Sequence, residues 1–239
     1  MTSSAYAAKS LVNVGLRRLG YRIERIADLN ENGVDVFWLG LRLAMARAGS
    51  DFFFVQIGAN NGVSDDPIHE FVVKYHLSGI LIEPQPLIFL ELKKNYAAER
   101  QLIFENAAIS PKDGETKMYC AMAENGEPTS GLTTFRREVL EYRVGPRAKI
   151  EEINVPARTF QTLFVRHAIG RVDLLQIDTE GFDCEILKLF DFMAYSPTIV
   201  RFEHIHLSRR ELTEAVTKLT GLGYQLHRDA IDLVAIRND

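Results

Sequence analysis

The chain has 239 residues, of which 46% are hydrophobic and 25% charged, as expected for one globular domain with a large core. Its 28 Lys and Arg and 32 Asp and Glu give a formal net charge of -4, which provides no general cationic field for nucleic acid. The two cysteines, Cys120 and Cys184, cannot form a disulfide framework, and no Cys or His spacing is typical of structural zinc. We therefore expect a cytoplasmic protein that binds no nucleic acid.

The first 50 residues predict a helical extension. Residues 11–26 repeat apolar side chains at near-helical spacing among arginines, and residues 34–48 form a second helical stretch. No apolar run reaches the roughly 18 residues that span a bilayer, and we expect no secretion signal. The helix at 11–26 is interpreted as a lid or packing helix. Contact with a partner or a membrane surface is the alternative, and a homo-oligomer is left open.

From residue 51 onward, apolar runs alternate with helical segments. Residues 52–57 are apolar except for Gln56, as in a strand buried on both faces of a parallel sheet. The other strands are predicted at 79–82, 102–104, 172–177, 198–202, 224–227 and 233–236, of which the last two form a hairpin. Helices are predicted at 67–76, 86–96 and 182–190 and from Ser208, which forms a capping box with Glu211. The sequence therefore predicts an α/β fold over residues 51–239: a doubly wound, mostly parallel sheet with an antiparallel strand at or near its edge.

Residues 115–156 interrupt this alternation with a polar stretch that contains Gly and Pro. In a doubly wound sheet the ligand binds at the carboxyl ends of the strands. We interpret the interruption as an inserted excursion over that edge. Its loop at 123–145 is expected to govern the choice of substrate rather than the affinity for a cofactor.

A glycine-rich turn follows the first predicted strand directly and precedes a helix. Glycines allow positive φ and let a ligand approach bare backbone, although such turns also end strands for purely structural reasons. The spacing of Gly58 and Gly62 does not fit a dinucleotide fingerprint, and no P-loop motif is present. The turn therefore predicts a ligand with a nucleoside but no phosphates. Its candidate contacts are Gln56, Gly58, Ala59, Asn60, Asn61 and Gly62.

The next two strand ends offer further contacts to a nucleoside. Glu83 follows the turn by about twenty residues, where a carboxylate can accept hydrogen bonds from both ribose hydroxyls. A solvated carboxylate at a strand end is the alternative. After the third strand, an amide and small side chains could admit a flat base, or the segment is an ordinary loop. The remaining candidate cofactor contacts are Pro84, Asn106, Ala107, Ala108 and Asp178.

Acidic and imidazole side chains follow the last two parallel strands. A carboxylate there can orient or deprotonate a substrate hydroxyl, although Asp178 could instead cap the next helix. Strand alternation would place His204 and His206 on one face, where they could take a proton or bind a metal; packing or surface roles are the alternative. The candidate catalytic residues are Asp178, Glu180, His204 and His206.

A divalent metal ion competes with a protein base as the means of activating a hydroxyl. Asp178, Glu203 and His206 are the candidate ligands if their strand ends converge. The chain has no short-range ligand motif, and neighbouring strand-end carboxylates often occur without metal. The sequence therefore favours a reaction without a metal ion.

Taken in order, these segments resemble the FkbM family of class I S-adenosylmethionine-dependent methyltransferases. The resemblance covers about residues 51–237 and rests on FFFVQIGANNG, LIEPQP, FENAAIS, VPARTFQTL, VDLLQIDTEGFDCEIL and PTIVRFEH. It implies S-adenosylmethionine as cofactor, a Rossmann-like sheet of seven strands whose last strand is antiparallel, and methylation of hydroxyl groups on sugars, glycans or glycosylated and macrolide natural products. It would place residues 58–62 at the methionine part of the cofactor, Glu83 at the ribose and the Asn106 region at the adenine. Gln56 departs from the broader class, in which an acid is common there, and this puts the contact to the cofactor amino group in doubt.

Two other functions are compatible with a sheet of this kind. A binding module without activity would be favoured by a degenerate first motif, but Gly58, Gly62 and Glu83 are intact. A nicotinamide-dependent oxidoreductase shares the strand and helix alternation, but the third glycine of its fingerprint is missing. The residues therefore favour a methyltransferase, and the resemblance implies that it acts on a small-molecule or glycan hydroxyl.

Overall fold

The computed structural model describes residues 35–123, 126, 128–145 and 147–237. The helix predicted at 11–26 lies outside these residues. Within them, no helix is long and apolar enough to cross a membrane.

The described strands form two sheets. In chain order they are β1 (Phe53–Ile57), β2 (Ser78–Ile82), β3 (Leu102–Glu105), β4 (Ala108–Ile109), β5 (Gly114–Met122), β6 (Pro128–Thr134), β7 (Lys149–Arg158), β8 (Leu174–Ile177), β9 (Ile199–Glu203), β10 (Tyr224–Asp229) and β11 (Asp232–Arg237). The larger sheet has seven strands in the order β10-β11-β9-β8-β1-β2-β3. β11 is antiparallel to both of its neighbours, and the other neighbouring strands are parallel. The predicted seven-stranded, mostly parallel sheet and its terminal hairpin are thus confirmed.

Helices cover both faces of the larger sheet. The described helices are α1 (Val36–Ala48), α2 (His69–Tyr75), α3 (Pro86–Asn95), α4 (Arg137–Val144), α5 (Phe160–Arg166), α6 (Asp183–Leu189), α7 (Phe192–Tyr195) and α8 (Arg209–Gly221), of which α4 packs on the smaller sheet. Because side chains alternate along a strand, Val55 and Ile57 of β1 join one hydrophobic cluster and Phe54 joins the other. The first cluster extends into α5, α6 and α8, and the second into α1, α2 and α3. The sheet is therefore doubly wound, and α1 packs directly on it.

The helix starts follow local capping chemistry. The capping box of Ser208 and Glu211 is present at the start of α8. The helix predicted to begin at residue 67 begins instead at His69. Asp66 Oδ1 accepts a hydrogen bond from the Ile68 amide, which closes a turn before the helix rather than its first turn.

The interruption at 115–156 is a structured element rather than a loop. β5, β6 and β7 form a small sheet with β4 in the order β4-β7-β5-β6, and α4 lies between β6 and β7. Thr134, at the end of β6, donates a hydrogen bond from its hydroxyl to the carbonyl oxygen of Glu180, 2.8 Å away. This sheet is therefore tied to the carboxyl edge of the larger sheet.

Candidate active site

A cavity of about 630 Å³ lies at the carboxyl ends of β1, β2, β8 and β9. Its size is that of an ordinary small-molecule site. The smaller sheet closes one side through apolar and hydroxyl side chains. These are Met118, Thr129, Leu132, Thr133 and Phe135.

The glycine-rich turn after β1 forms one wall of the cavity. Gly58 has a φ of 75°, and a Cβ there would lie 1.8 Å from the carbonyl oxygen of Asp178, so no side chain fits. A Cβ on Gly62 would lie 2.4 Å from the ring of Tyr96. Gly58, Ala59 and Asn60 line the cavity, whereas Asn61 and Gly62 lie behind it and shape the turn. Gly62 thus packs against Tyr96, and its contact to a cofactor stays a prediction.

Glu83 ties this turn to the end of β2. Its Oε2 accepts a hydrogen bond from the Asn60 amide and its Oε1 accepts one from the Gln85 amide, both at 2.9 Å. Burial raises the pKa of Glu83 to about 7, and the negative charge of Asp178 adds to that rise. Each carboxylate oxygen keeps lone-pair capacity toward the cavity, where vicinal hydroxyls could donate.

Asn106 supports the site from behind. Its side-chain amide donates to the carbonyl oxygens of Glu83, at 2.8 Å, and Pro84, at 3.0 Å. Both of its N–H donors are therefore engaged by the segment that carries Glu83. Pro84, Ala107 and Ala108 form the cavity wall at this point.

Gln56 lies in the wall beside Asp66, a buried acid that is not among the residues predicted from the sequence. Its side chain hydrogen-bonds to Asp66, while its Oε1 is buried and has no hydrogen-bond partner among the described residues. The Tyr96 hydroxyl donates to Asp66 Oδ2 at 3.3 Å. Asp66 also lines the cavity. The site therefore has an acid close to Gln56, which stands where the broader class commonly has an acid.

Asp178 is an exposed acid of the cavity wall. It follows β8, and its carboxylate has no hydrogen-bond partner in the described part of the chain. Its side chain is accessible to solvent and lines the cavity. Burial raises the pKa of Asp178, and the guanidinium groups of Arg201 and Arg143 oppose that rise. The group is therefore placed to contact a substrate hydroxyl.

Glu180, Glu203 and His206 form a cluster next to Asp178. The imidazole Nε2 of His206 lies 3.4 Å from Glu180 Oε2 and 3.7 Å from Glu203 Oε2. Burial and neighbouring carboxylates raise the pKa of Glu203 to about 10 and that of Glu180 to about 7. Burial and the positive charge of Arg143 lower the pKa of His206 to about 4. The set of potential ligands predicted from sequence is thus corrected in one member: Glu180 replaces Asp178.

The two histidines do not share a face, and that prediction is wrong. β9 ends at Glu203, so strand alternation does not extend to the histidines. The chain turns there, with the Leu207 amide donating to the carbonyl oxygen of His204 at 3.2 Å. The His204 amide donates to the carbonyl oxygen of Ile231, in the turn of the terminal hairpin, while His206 reaches the two glutamates. Of the two, His206 contacts acids of the cavity wall, and neither histidine is among the described residues that line the cavity.

Asp183 and Arg143 complete the site and were not predicted. Asp183 is fully buried, and its Oδ2 accepts from the Thr179 hydroxyl at 2.9 Å while its Oδ1 accepts from the Glu203 amide at 3.1 Å. It therefore joins the loop after β8 to the end of β9. In the sequence, the only indication that Asp183 belongs to the site is that it follows Asp178 by five residues. Arg143 of α4 donates to Glu180 Oε1, and no motif in the interruption pointed to it.

A family model agrees with the motifs. Residues 56–226 match the family model described as Methyltransferase FkbM domain. No curated protein sequence matches the chain significantly. Among solved structures, the chain is similar to one from a fibrillarin/Nop5p complex, with 14% identity, 88% of this chain and 90% of that chain covered, and a TM-score of 0.40. It is also similar to a methyltransferase from Pyrococcus furiosus, with 12% identity, 99% and 100% covered, and a TM-score of 0.44.

These TM-scores are below 0.5, so we identify the fold from the observed strand order and the family from the match to the family model. That match takes in the glycine-rich turn, Glu83, Asp178 and the cluster around His206. The chain therefore belongs to the FkbM family of methyltransferases.

Proposed function

We propose that this protein transfers a methyl group from S-adenosylmethionine to a hydroxyl group of a sugar, a glycan or a glycosylated or macrolide natural product. The observation that carries the proposal is the Asp178 carboxylate. It lines the cavity, has no hydrogen-bond partner among the described side chains, and adjoins the glycine-rich turn in a wall suited to a nucleoside.

The residues of that wall fit the cofactor. The buried and unpartnered Oε1 of Gln56 can accept a hydrogen bond from an amino group, and the bare backbone at Gly58 admits a close ligand. Glu83 would accept from the ribose hydroxyls, and Ala107 and Ala108 leave room for the base. When bound, S-adenosylmethionine supplies an electrophilic methyl group.

The chain's own residues would align the acceptor and remove its proton. A hydroxyl oxygen must stand about 3 Å from the methyl carbon and in line with its bond to sulfur. Asp178 can accept the hydroxyl proton, and its raised pKa brings it closer to the range of an effective base at neutral pH. Asp183 holds the adjoining loop, which keeps Asp178 aimed at the cavity.

A polyhydroxylated acceptor suits the polar part of the wall. Carboxylates and guanidinium groups both line it, and a sugar can donate to the former and accept from the latter. The apolar surface contributed by the smaller sheet could contact the ring faces of such an acceptor. The polar groups are Asp178, Glu180, Glu203, Asp232, Arg143 and Arg201.

A screen with methyl-labelled cofactor over sugars, nucleotide sugars and glycolipid extracts tests the proposal. We expect label in an acid- and base-stable O-methyl ether that forms with wild type and at a much lower rate with Asp178→Asn. Label found only on nitrogen, sulfur or carbon acceptors would contradict hydroxyl methylation. Product formation that Asp178→Asn leaves unchanged would remove Asp178 from the reaction.

A further inference from the structure

The cluster of Glu180, Glu203 and His206 contains three buried polar atoms, Glu180 Oε2, Glu203 Oε2 and His206 Nε2, that make no hydrogen bond among the described residues. One carboxylate oxygen of Glu180, one of Glu203 and one ring nitrogen of His206 all lie within 4.8 Å of one another. The side chains of Glu203 and His206 are only 5% and 9% exposed. Buried polar atoms without partners are costly, and three that converge on one point indicate a missing ligand.

The charges around the cluster favour a cation as that ligand. Arg143 neutralises the other oxygen of Glu180, but Glu203 adds a second carboxylate beside it. Asp178 and Asp183 contribute further negative charge nearby. Both oxygens of Asp183 accept hydrogen bonds from backbone or hydroxyl donors, so this acid supports the cluster rather than facing its centre.

The three side chains are also held in position from outside the cluster. Arg143 fixes one oxygen of Glu180, and Thr134 holds the carbonyl oxygen of the same residue. Glu180 has a φ of 55°, an uncommon conformation for a residue with a side chain. Gly181 follows, where a Cβ would lie 3.2 Å from the Cβ of His206. Such outer contacts orient ligands at metal sites.

We propose that Glu180, Glu203 and His206 bind one divalent metal ion, of which manganese is the best match. Ligand atoms at right angles around such an ion lie about 3 Å apart, so the separations of 3.4 and 3.7 Å need only small adjustments. Carboxylates suit magnesium and manganese, whereas imidazole suits transition metals, so the mixed set favours manganese. Both glutamates line the cavity, which leaves open coordination positions on that side.

The metal would act on the acceptor in the cavity. A coordinated hydroxyl group loses its proton more readily, and Asp178 is placed to receive it. This role rests on the proposed function, whereas metal binding itself does not. The preference for a metal-free reaction, derived from the lack of a short-range ligand motif, is thereby reversed. The ligands come from two strand ends that only the fold brings together.

Manganese binding to the full chain tests the proposal directly. Protein freed of metal with a chelator is titrated with Mn²⁺ alone, and free Mn²⁺ is followed by electron paramagnetic resonance. We expect one site per chain, with pulsed spectra that show coupling to an imidazole nitrogen. Glu203→Gln should weaken binding at least about tenfold, and His206→Gln should abolish the nitrogen coupling. Glu185→Gln, which changes an exposed acid paired with Lys188, should alter neither.

The outcomes separate this proposal from the proposed function. Wild type that binds no Mn²⁺ at millimolar concentration, or binds it without nitrogen coupling, overturns the metal site whatever the variants do. Binding of S-adenosylhomocysteine is measured on the same preparation. Cofactor binding without Mn²⁺ binding leaves the methyltransferase proposal standing, and Mn²⁺ binding without cofactor binding leaves the metal site standing while the proposed function fails.

Discussion

Asp178 carries the chemical step in this account, because its carboxylate faces the cavity without a hydrogen-bond partner among the described residues. Asp178→Asn should lower turnover by about 10² to 10⁴, the usual contribution of a positioned base. The affinity for the cofactor should change little. Single-turnover kinetics with labelled cofactor, together with a binding isotherm, measure the two effects. Asp51→Asn, which changes an exposed acid just before β1, is the control. Equal losses of turnover and cofactor binding would make Asp178 a binding residue.

Glu83 should determine the affinity for the ribose. Replacing Glu83 with Gln preserves its shape but removes the charged acceptor, and hydrogen bonds to a charged group contribute about 1.5 to 3 kcal/mol each at most. We expect the dissociation constant of S-adenosylhomocysteine to rise about tenfold or more. Glu105→Gln is a matched control, since Glu105 ends the neighbouring strand and binds Arg166 and His167. An unchanged constant for Glu83→Gln would exclude Glu83 from the site.

At the scale of the elements, the smaller sheet should govern the acceptor and not the cofactor. Phe135, between β6 and α4, lines the cavity and contacts Phe182, with ring centroids 4.4 Å apart. Phe135→Ala should lower kcat/KM for the acceptor several-fold with little effect on cofactor affinity. Tyr142→Ala serves as the control, because this side chain of α4 is 87% exposed. A parallel loss of cofactor binding in Phe135→Ala would mean that this sheet supports the whole site.

The elements of the larger sheet could be predicted because buried parallel strands have nearly continuous apolar runs, such as residues 174–177. β5 and β7 lack that signal: their first residues are largely exposed and the strands are irregularly patterned. Glu83 and Asp178 could be selected because the carboxyl ends of parallel strands meet at one edge. The contact between Glu180 and His206 could not be predicted, because it depends on the positive φ of Glu180 and on the turn after β9.

At the scale of the whole molecule, buried carboxyl groups should make stability depend on pH. Burial raises the pKa of Glu83 and of Asp232 to about 7. In the unfolded chain the pKa values of these groups are 4.5 and 3.8. Between the unfolded and the folded pKa of each group, the folded state binds more protons than the unfolded state, so stability falls as pH rises through this window. Between pH 5.5 and 8 we expect a loss of about 2 kcal/mol for each group and a Tm lower by several degrees. Thermal unfolding at pH 5.5 and at pH 8, in the presence of a chelator, measures this loss of stability. A Tm that is higher at pH 8 than at pH 5.5 would show that these groups are charged when folded.

The central claim, that the cavity at the carboxyl edge of the sheet binds S-adenosylmethionine, is tested most directly by calorimetry of the full chain. We expect S-adenosylhomocysteine to bind with a stoichiometry of one per chain and NAD to give no heat. The same titration of Glu83→Gln should show weaker binding, and that of Glu105→Gln should match wild type. If wild type binds NAD, or binds neither ligand, the assignment of this cavity to a methyl-donor cofactor is wrong.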